Sequence, residues 1–221
     1  MAGAVVIGAG PGLGRSIARR FAREGMPVAL LARRQETVDA TAATLGGPVL
    51  PLRADAADES SLLAALDAAT DAFGTPDVVV YNAALIRGDA PGDLPAQAQL
   101  DAWSVNVVGA LTAAAHVAPA MAARGHGTFV ITGGMPVPVA ACVSLSLGKA
   151  GVRTLTAMLH EHYGPAGVHA ASVTVYGTVA PGTAFDPDDI AERYWQLHCQ
   201  PRQAWELEVA YTGEPTTAAT T

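Results

Sequence analysis

The stretch Val5-Val6-Ile7-Gly8-Ala9-Gly10-Pro11-Gly12-Leu13-Gly14 decides the fold. A short apolar run feeds into a glycine-rich turn, and a helical pattern follows over Arg15–Glu24. Glycines permit the tight turn and let backbone N–H groups approach a pyrophosphate. The N-terminus of the next helix adds a favourable partial charge. Glycines alone are weak evidence. Here they follow a strand and open a helix at the start of a βαβ series, the context that gives them meaning.

Outward from this turn, short β-rich runs alternate with Ala-rich helical stretches. Val5–Gly8, Val28–Ala32, Val49–Leu52, Val78–Tyr81, Thr128–Thr132 and His169–Val175 read as strands. Arg15–Glu24, Gln35–Leu45, Ser60–Phe73, Gln97–Ala123 and Ser144–Tyr163 read as helices. Near-continuous apolar strands alternating with helices predict an α/β fold: a doubly wound parallel sheet covered on both faces, of Rossmann type. Asp186–Leu197 reads as a further helix with acidic residues in its first turn, and Trp205–Tyr211 as an edge strand. No repeat or linker interrupts the pattern, so one domain is expected over residues 1–211. The polar stretch Thr212–Thr221 reads as a frayed tail.

Composition narrows the function classes. The chain has 221 residues, half of them apolar, enough for one generous core. A formal net charge of −7 argues against nucleic acid or an anionic membrane as partner. The N-terminus lacks the pattern of a signal peptide. The uncharged stretch Gly127–Gly148 is broken by Gly133, Gly134, Pro136 and Pro138, so it reads as a strand, a turn and a helix start rather than a membrane span. Two cysteines, Cys142 and Cys199, make neither a four-ligand zinc site nor a disulfide framework, and a reducing cytoplasm is the expected setting. The six histidines form no metal motif. Of the thirteen cationic side chains, twelve are Arg and one, Lys149, is Lys. Codon bias would explain the arginines and leave the lysine an accident. Yet the two differ as ligands: a planar fork against a compact point charge.

The dinucleotide can be read from the end of the second strand. An acidic residue there would hold the ribose 2′-OH of NAD. That position is Ala32, followed by Arg33 and Arg34, and Arg15 follows the glycine turn. A missing carboxylate beside guanidinium groups suits the 2′-phosphate of NADP.

These residues together resemble the short-chain dehydrogenase/reductase family. Gly8-x-x-x-Gly12-x-Gly14 is similar to its glycine motif. Asp55 matches an adenine-contacting Asp, with Ala56 beside it, and Asn82-Ala83-Ala84 resembles the Asn-Ala-Gly stretch after the fourth strand. Asn106 falls at the catalytic Asn, Lys149 at the Lys of Tyr-x-x-x-Lys, and Gly177 and Val179 at the turn that holds the nicotinamide carboxamide. The resemblance implies a cofactor site formed by Gly8, Gly10, Gly12, Leu13, Gly14, Arg15, Arg33, Arg34, Asp55, Ala56, Asn82, Ala83, Ala84, Lys149, Gly177 and Val179. It also implies a small-molecule substrate and a homodimer or homotetramer built on the two long Ala-rich helices.

The chain departs from that family in its acid. Leu145 stands at the Tyr position, Gly133 or Gly134 at the catalytic Ser, and Tyr176 at the Pro of the Pro-Gly turn. The segment from Gly177 to Asp186, which in the family often carries a lid, is short. Four residues are candidates to replace the lost acid. Cys142 and Ser146 precede Lys149 by seven and three residues, on its face of a helix if that helix has formed by Cys142. Tyr176 and Thr132 end strands on the edge where ligands bind. Each has a plainer reading: small-residue packing for Cys142 and Ser146, a ring stacked on nicotinamide for Tyr176, a strand-end bond for Thr132. His116 and His160 are expected to pack or face solvent, and Trp103, Trp195 and Trp205 to sit in the core or an interface. The expected function is an NADPH-dependent oxidoreductase transferring hydride to a small carbonyl, imine or enone. The alternatives are a non-redox cyclase or isomerase on the same scaffold, and an inactive NADP-binding sensor or assembly protein.

Overall fold

A computed structural model describes residues 3–213. Every residue of β1 (Ala4–Ile7) is buried, and the strand lies near the middle of a seven-stranded sheet. Its neighbours are β2 (Val28–Ala32) and β4 (Val78–Tyr81), both parallel, with Ala4 opposite Val28 and Val78. β3 (Val49–Arg53), β5 (Gly127–Thr132), β6 (Val168–Val175) and β7 (Glu208–Tyr211) extend it to the order β3-β2-β1-β4-β5-β6-β7, parallel throughout. The sheet grows one way from β1 to β3 and the other way from β4 to β7. The crevice between β1 and β4 is therefore the point where the strand order reverses and ligands bind in open sheets.

Alternation along each strand feeds two cores. Val5 and Ile7, with Phe129 and Ile131, face α3 (Glu59–Phe73), α5 (Gly109–Arg124) and α6 (Val143–Tyr163) through Leu62, Leu66, Ala114, Val117 and Leu155. Val6, Leu30, Val80 and Val130 face α1 (Leu13–Arg23), α2 (Gln35–Ala42) and α7 (Pro187–Cys199) through Ile17, Phe21, Val38, Ile190 and Leu197. Burial on both faces is why these strands read as continuous apolar runs.

Two long helices differ from the sequence expectation. Gln97–Ala123 is one helical run in space, but it divides into α4 (Ala96–Trp103), a π-helical turn over Ser104–Val108, and α5. The 29-residue run Ala96–Arg124 has the length and apolarity of a membrane span, yet its Ala110, Ala113, Val117 and Met121 are buried in the core. α6 begins at Val143 with Cys142 as its N-cap, at φ −145° and ψ 57°. Cys142 is therefore outside the helix, and it does not share the helical stripe of Ser146 and Lys149 proposed for it.

A carboxylate from far away in the chain caps α6. Asp89, buried before α4, accepts from the Ser144 N–H at 3.0 Å and the Ser144 hydroxyl at 2.9 Å, and from Gln99 at 3.2 Å. Backbone bonds from Asp89 N to Ala141 O and from Val143 N to Asp89 O lay the two loops side by side. β7 ends at Tyr211, and of the expected tail Thr212–Thr221, residues 214–221 lie outside the described part of the chain.

Candidate active site

The glycine turn is shaped for close approach. Gly8 has φ +88°, and a Cβ there would lie 2.5 Å from the Ala83 nitrogen. A Cβ on Gly14 would strike the Gly8 carbonyl, and Gly12 needs its φ of +90° although space around it is open. Gly10 lines the cleft without such a constraint. α1 begins at Leu13 with no side-chain cap and no acid in its first turn; Arg15 and Ser16 N–H bond back to the glycine turn, which leaves the N–H groups of Leu13 and Gly14 for an anion.

The cleft over this turn has a volume of about 380 Å³. Among the residues that line it are Gly8, Gly10, Arg33, Arg34, Asp55 and Asn82, together with Ala56, Ala83 and Ala84. These are the expected cofactor residues of the adenosine side, brought together. Arg33 and Arg34 stand exposed at its rim beyond Ala32. Asp55 is oriented by the Ala57 N–H at 3.0 Å. Arg15 does not line this cleft; its Nε is buried without a hydrogen-bond partner, and its N–H donates to Gly10 O. Gly12, Leu13 and Gly14 form the start of α1.

A hydrogen-bond chain runs from the glycine turn to the lone lysine. Asn82 Nδ2 donates to Gly8 O at 3.0 Å. Thr132 Oγ1 donates to Asn82 Oδ1 at 2.9 Å. Lys149 Nζ donates to Thr132 O at 2.7 Å. The Tyr194 hydroxyl, from α7, lies 2.8 Å from Thr132 Oγ1. Since the single Thr132 proton goes to Asn82, Tyr194 donates and Thr132 accepts. Burial pushes the Tyr194 phenol up, which keeps it a donor. Ends of β1, β4 and β5 and the face of α6 are thus tied into one edge. Tyr194 was invisible to sequence reasoning, because 62 residues separate it from its partner.

The other candidates are placed as follows. Asn106 is buried in the π turn, accepting from Leu85 N at 2.7 Å and donating to Leu85 O at 3.3 Å, so its amide braces the loop after β4. Ser146 is held by Val139, donating to its carbonyl and accepting from its N–H at 3.1 Å. Tyr176 follows β6 and is half exposed. Gly177 packs under the Phe185 ring, where a Cβ would clash, and Val179 packs on the core beside it. His116 pairs with Asp67 on the surface, and His160 packs edge-on against Trp205. Trp195 packs against Phe21, Trp205 stacks on His169, and Trp103 lies over Gly151; Trp195 and Trp205 are partly buried and Trp103 is exposed, so none is a buried core residue.

The structure separates the two glycines at the Ser position. A side chain on Gly133 would strike Thr174, whereas one on Gly134 would lie 3.7 Å from Lys149 Cε. Gly134 therefore faces the site, but at φ +146°, where an L side chain is strained. Leu145 is buried one turn before Lys149. Lys149 is partly buried, its ammonium is held by Thr132 O, and desolvation lowers its pKa to about 8.

The short chain dehydrogenase family model matches residues 2–189, and the chain belongs to that family. It is 32% identical over 189 residues to a cis-4-hydroxycyclohexanecarboxylate dehydrogenase of Sinomonas cyclohexanicum, covering 83% of this chain and 74% of that protein. It is 28% identical to glucose 1-dehydrogenase 2 of Bacillus subtilis, covering 91% of this chain and 81% of that one. A metagenomic short-chain oxidoreductase solved in complex with NADP superposes with a TM-score of 0.85 at 28% identity, over 96% of this chain and 97% of that chain. The fold and the family of oxidoreductases are thereby fixed. The cradle residues fit a nicotinamide dinucleotide: glycine where a Cβ would collide, an uncapped helix start, and Asn82 bracing the turn.

Proposed function

We propose that this chain is an NADPH-dependent reductase of small, uncharged organic carbonyl, imine or enone compounds. The observation that carries this reading is the unbroken hydrogen-bond chain from Gly8 through Asn82 and Thr132 to Lys149. It holds the phosphate turn and the lysine on one edge of the sheet. When bound, the reduced cofactor supplies the hydride, so the protein needs to bind it, orient it and exclude water. Leu13, Gly14 and the turn would hold the pyrophosphate, Asp55 the adenine, Arg33 and Arg34 the 2′-phosphate, and Lys149 the nicotinamide ribose. Gly177 and Val179 would hold the carboxamide. Complexes of this fold with NADP support the cofactor class.

The rim supports an uncharged substrate. Residues 127–148, which include the whole β5–α6 loop, carry no charged side chain. Val137 and Val139 of that loop, Ile86 after β4 and Tyr176 after β6 expose apolar surface at the same sheet edge. The loop itself, residues 133–142, offers no cation of its own to a carboxylate or phosphate substrate. The test is NADPH consumption against a panel of ketones, imines and enones, with charged analogues alongside. Neutral compounds should be reduced and their anionic analogues disfavoured by about tenfold or more, a difference of about 1.4 kcal/mol. Consumption with no member of the panel would contradict the reading.

A further inference from the structure

We propose that Lys149 is itself the proton donor of the reduction, taking over the step for which Leu145 and Gly134 leave no hydroxyl. This rests on the reductase reading above.

The argument begins with the neighbouring O–H groups. The Thr132 proton is committed to Asn82 Oδ1, because Asn82 Nδ2 is already spent on Gly8 O, and Tyr194 fills the remaining side of that hydroxyl. Ser146 gives its proton to Val139 O. Cys142 lies outside the helix. Among the described residues, the Tyr176 hydroxyl bonds to no side chain, and half of that residue faces solvent. The ammonium and the Tyr176 hydroxyl are the acids left at this edge, and the ammonium is the one fixed against the Thr132 carbonyl and Gly134. It has three N–H bonds, one of which goes to Thr132 O. Its last stem carbon looks onto Gly134, where a Cβ would sit 3.7 Å away.

The environment tunes it for this task. A general acid works best with a pKa near the working pH. A desolvated ammonium moves in that direction, and here it falls to about 8 with burial as the cause. Charged groups on the elements packed against α6 are spent elsewhere. His169 on β6 bonds the Leu197 and Glu206 carbonyls, and Asp101 on α4 bonds Gln97. On α5, His116 pairs with Asp67, and Arg124 bonds the carbonyls of Thr75 and Pro76. Arg153, one turn beyond Lys149 and a second cation beside the site, pairs with Glu208 at 3.4 Å and donates to Gly134 O at 3.5 Å.

The step balances. The substrate carbon accepts the hydride from reduced nicotinamide, which becomes NADP⁺. The π pair moves to the carbonyl oxygen or imine nitrogen, which takes a proton from Lys149 Nζ directly or across one water. The N–H bond breaks with its pair left on nitrogen, and the neutral amine recovers a proton from solvent.

Because Lys149 is the only lysine, the apoprotein gives a clean readout. Reductive ¹³C-methylation labels one side-chain amine besides the α-amino group, and its NMR titration reports the pKa without any turnover. The midpoint should fall near 8, and kcat of the unmodified enzyme should decline tenfold per pH unit above the same value. Lys149→Arg keeps a cation but gives up no proton near neutrality. It should lose about 10²–10⁴-fold in kcat, with a much smaller change in cofactor Kd by fluorescence titration, while Tyr176→Phe retains the break. A midpoint above 10, a kcat flat from pH 7 to 10, or Lys149→Arg within about tenfold of wild type would overturn the proposal alone. Absence of turnover on the whole panel would overturn the reductase reading with it.

Discussion

At the scale of single residues, cofactor choice and chemistry come apart. Arg33 stands at the rim of the cleft, past Ala32, where an acid would select against a phosphate. A charge-assisted bond to a phosphate contributes about 1.5–3 kcal/mol, or about 10–100-fold in affinity. Arg33→Ala should therefore weaken NADPH by about that factor in a calorimetric titration and leave NADH within about threefold; equal losses would refute the assignment. Much of this site was legible in the sequence. The glycines announce themselves because only they fit the φ and the contacts at Gly8 and Gly14. Lys149 stood out as the exception among arginines. Three things were not legible. Which of Gly133 and Gly134 faces the site depends on Thr174, about forty residues away, and which way the Thr132 proton points depends on Asn82 and Tyr194. That the Arg15 Nε is buried without a hydrogen-bond partner is likewise a fact of the fold and not of the sequence.

At the scale of elements, the sheet was the easiest part to foresee and the helix starts the hardest. β-rich runs buried on both faces leave a pattern that needs no partner to be read. The start of α6 does need one: its N-terminal cap comes from Asp89 by way of Ser144 rather than from Cys142. The π turn at Ser104–Val108 is likewise silent in apolar periodicity, yet it places Asn106 against Leu85 and under Gly148, where a Cβ would crowd it. Such turns often mark functional sites. Asp89→Ala would leave the Ser144 N–H and hydroxyl unpaired in a buried place. It should lower Tm by several degrees and free the β5–α6 loop, seen as faster hydrogen exchange at Val143 and Ser144. An unchanged Tm would show that Cys142 or solvent caps the helix as well.

At the scale of the molecule, one side of the fold is unfinished. Val108 and Leu111 from the π turn and α5, with Leu147 and Met158 from α6, expose apolar side chains around a groove that also includes Ala115 and Leu155. Exposed apolar side chains grouped around a groove are the kind of surface that serves as an interface. A second copy of this chain is the proposed occupant, so Leu111→Glu combined with Met158→Glu should shift the mass in light scattering from dimer or tetramer toward monomer. Wild-type protein that is already monomeric would contradict that. The intact cradle and the lysine tied to it by hydrogen bonds support the central claim, that the cofactor reacts although the tyrosine is absent. It is tested most directly by supplying NADPH deuterated on nicotinamide C4 with a neutral substrate and following the label by mass spectrometry. One deuterium on the reduced carbon for each NADP⁺ formed is the predicted result. Product formed without label and with the cofactor unchanged would show a non-redox enzyme on this scaffold and contradict the account.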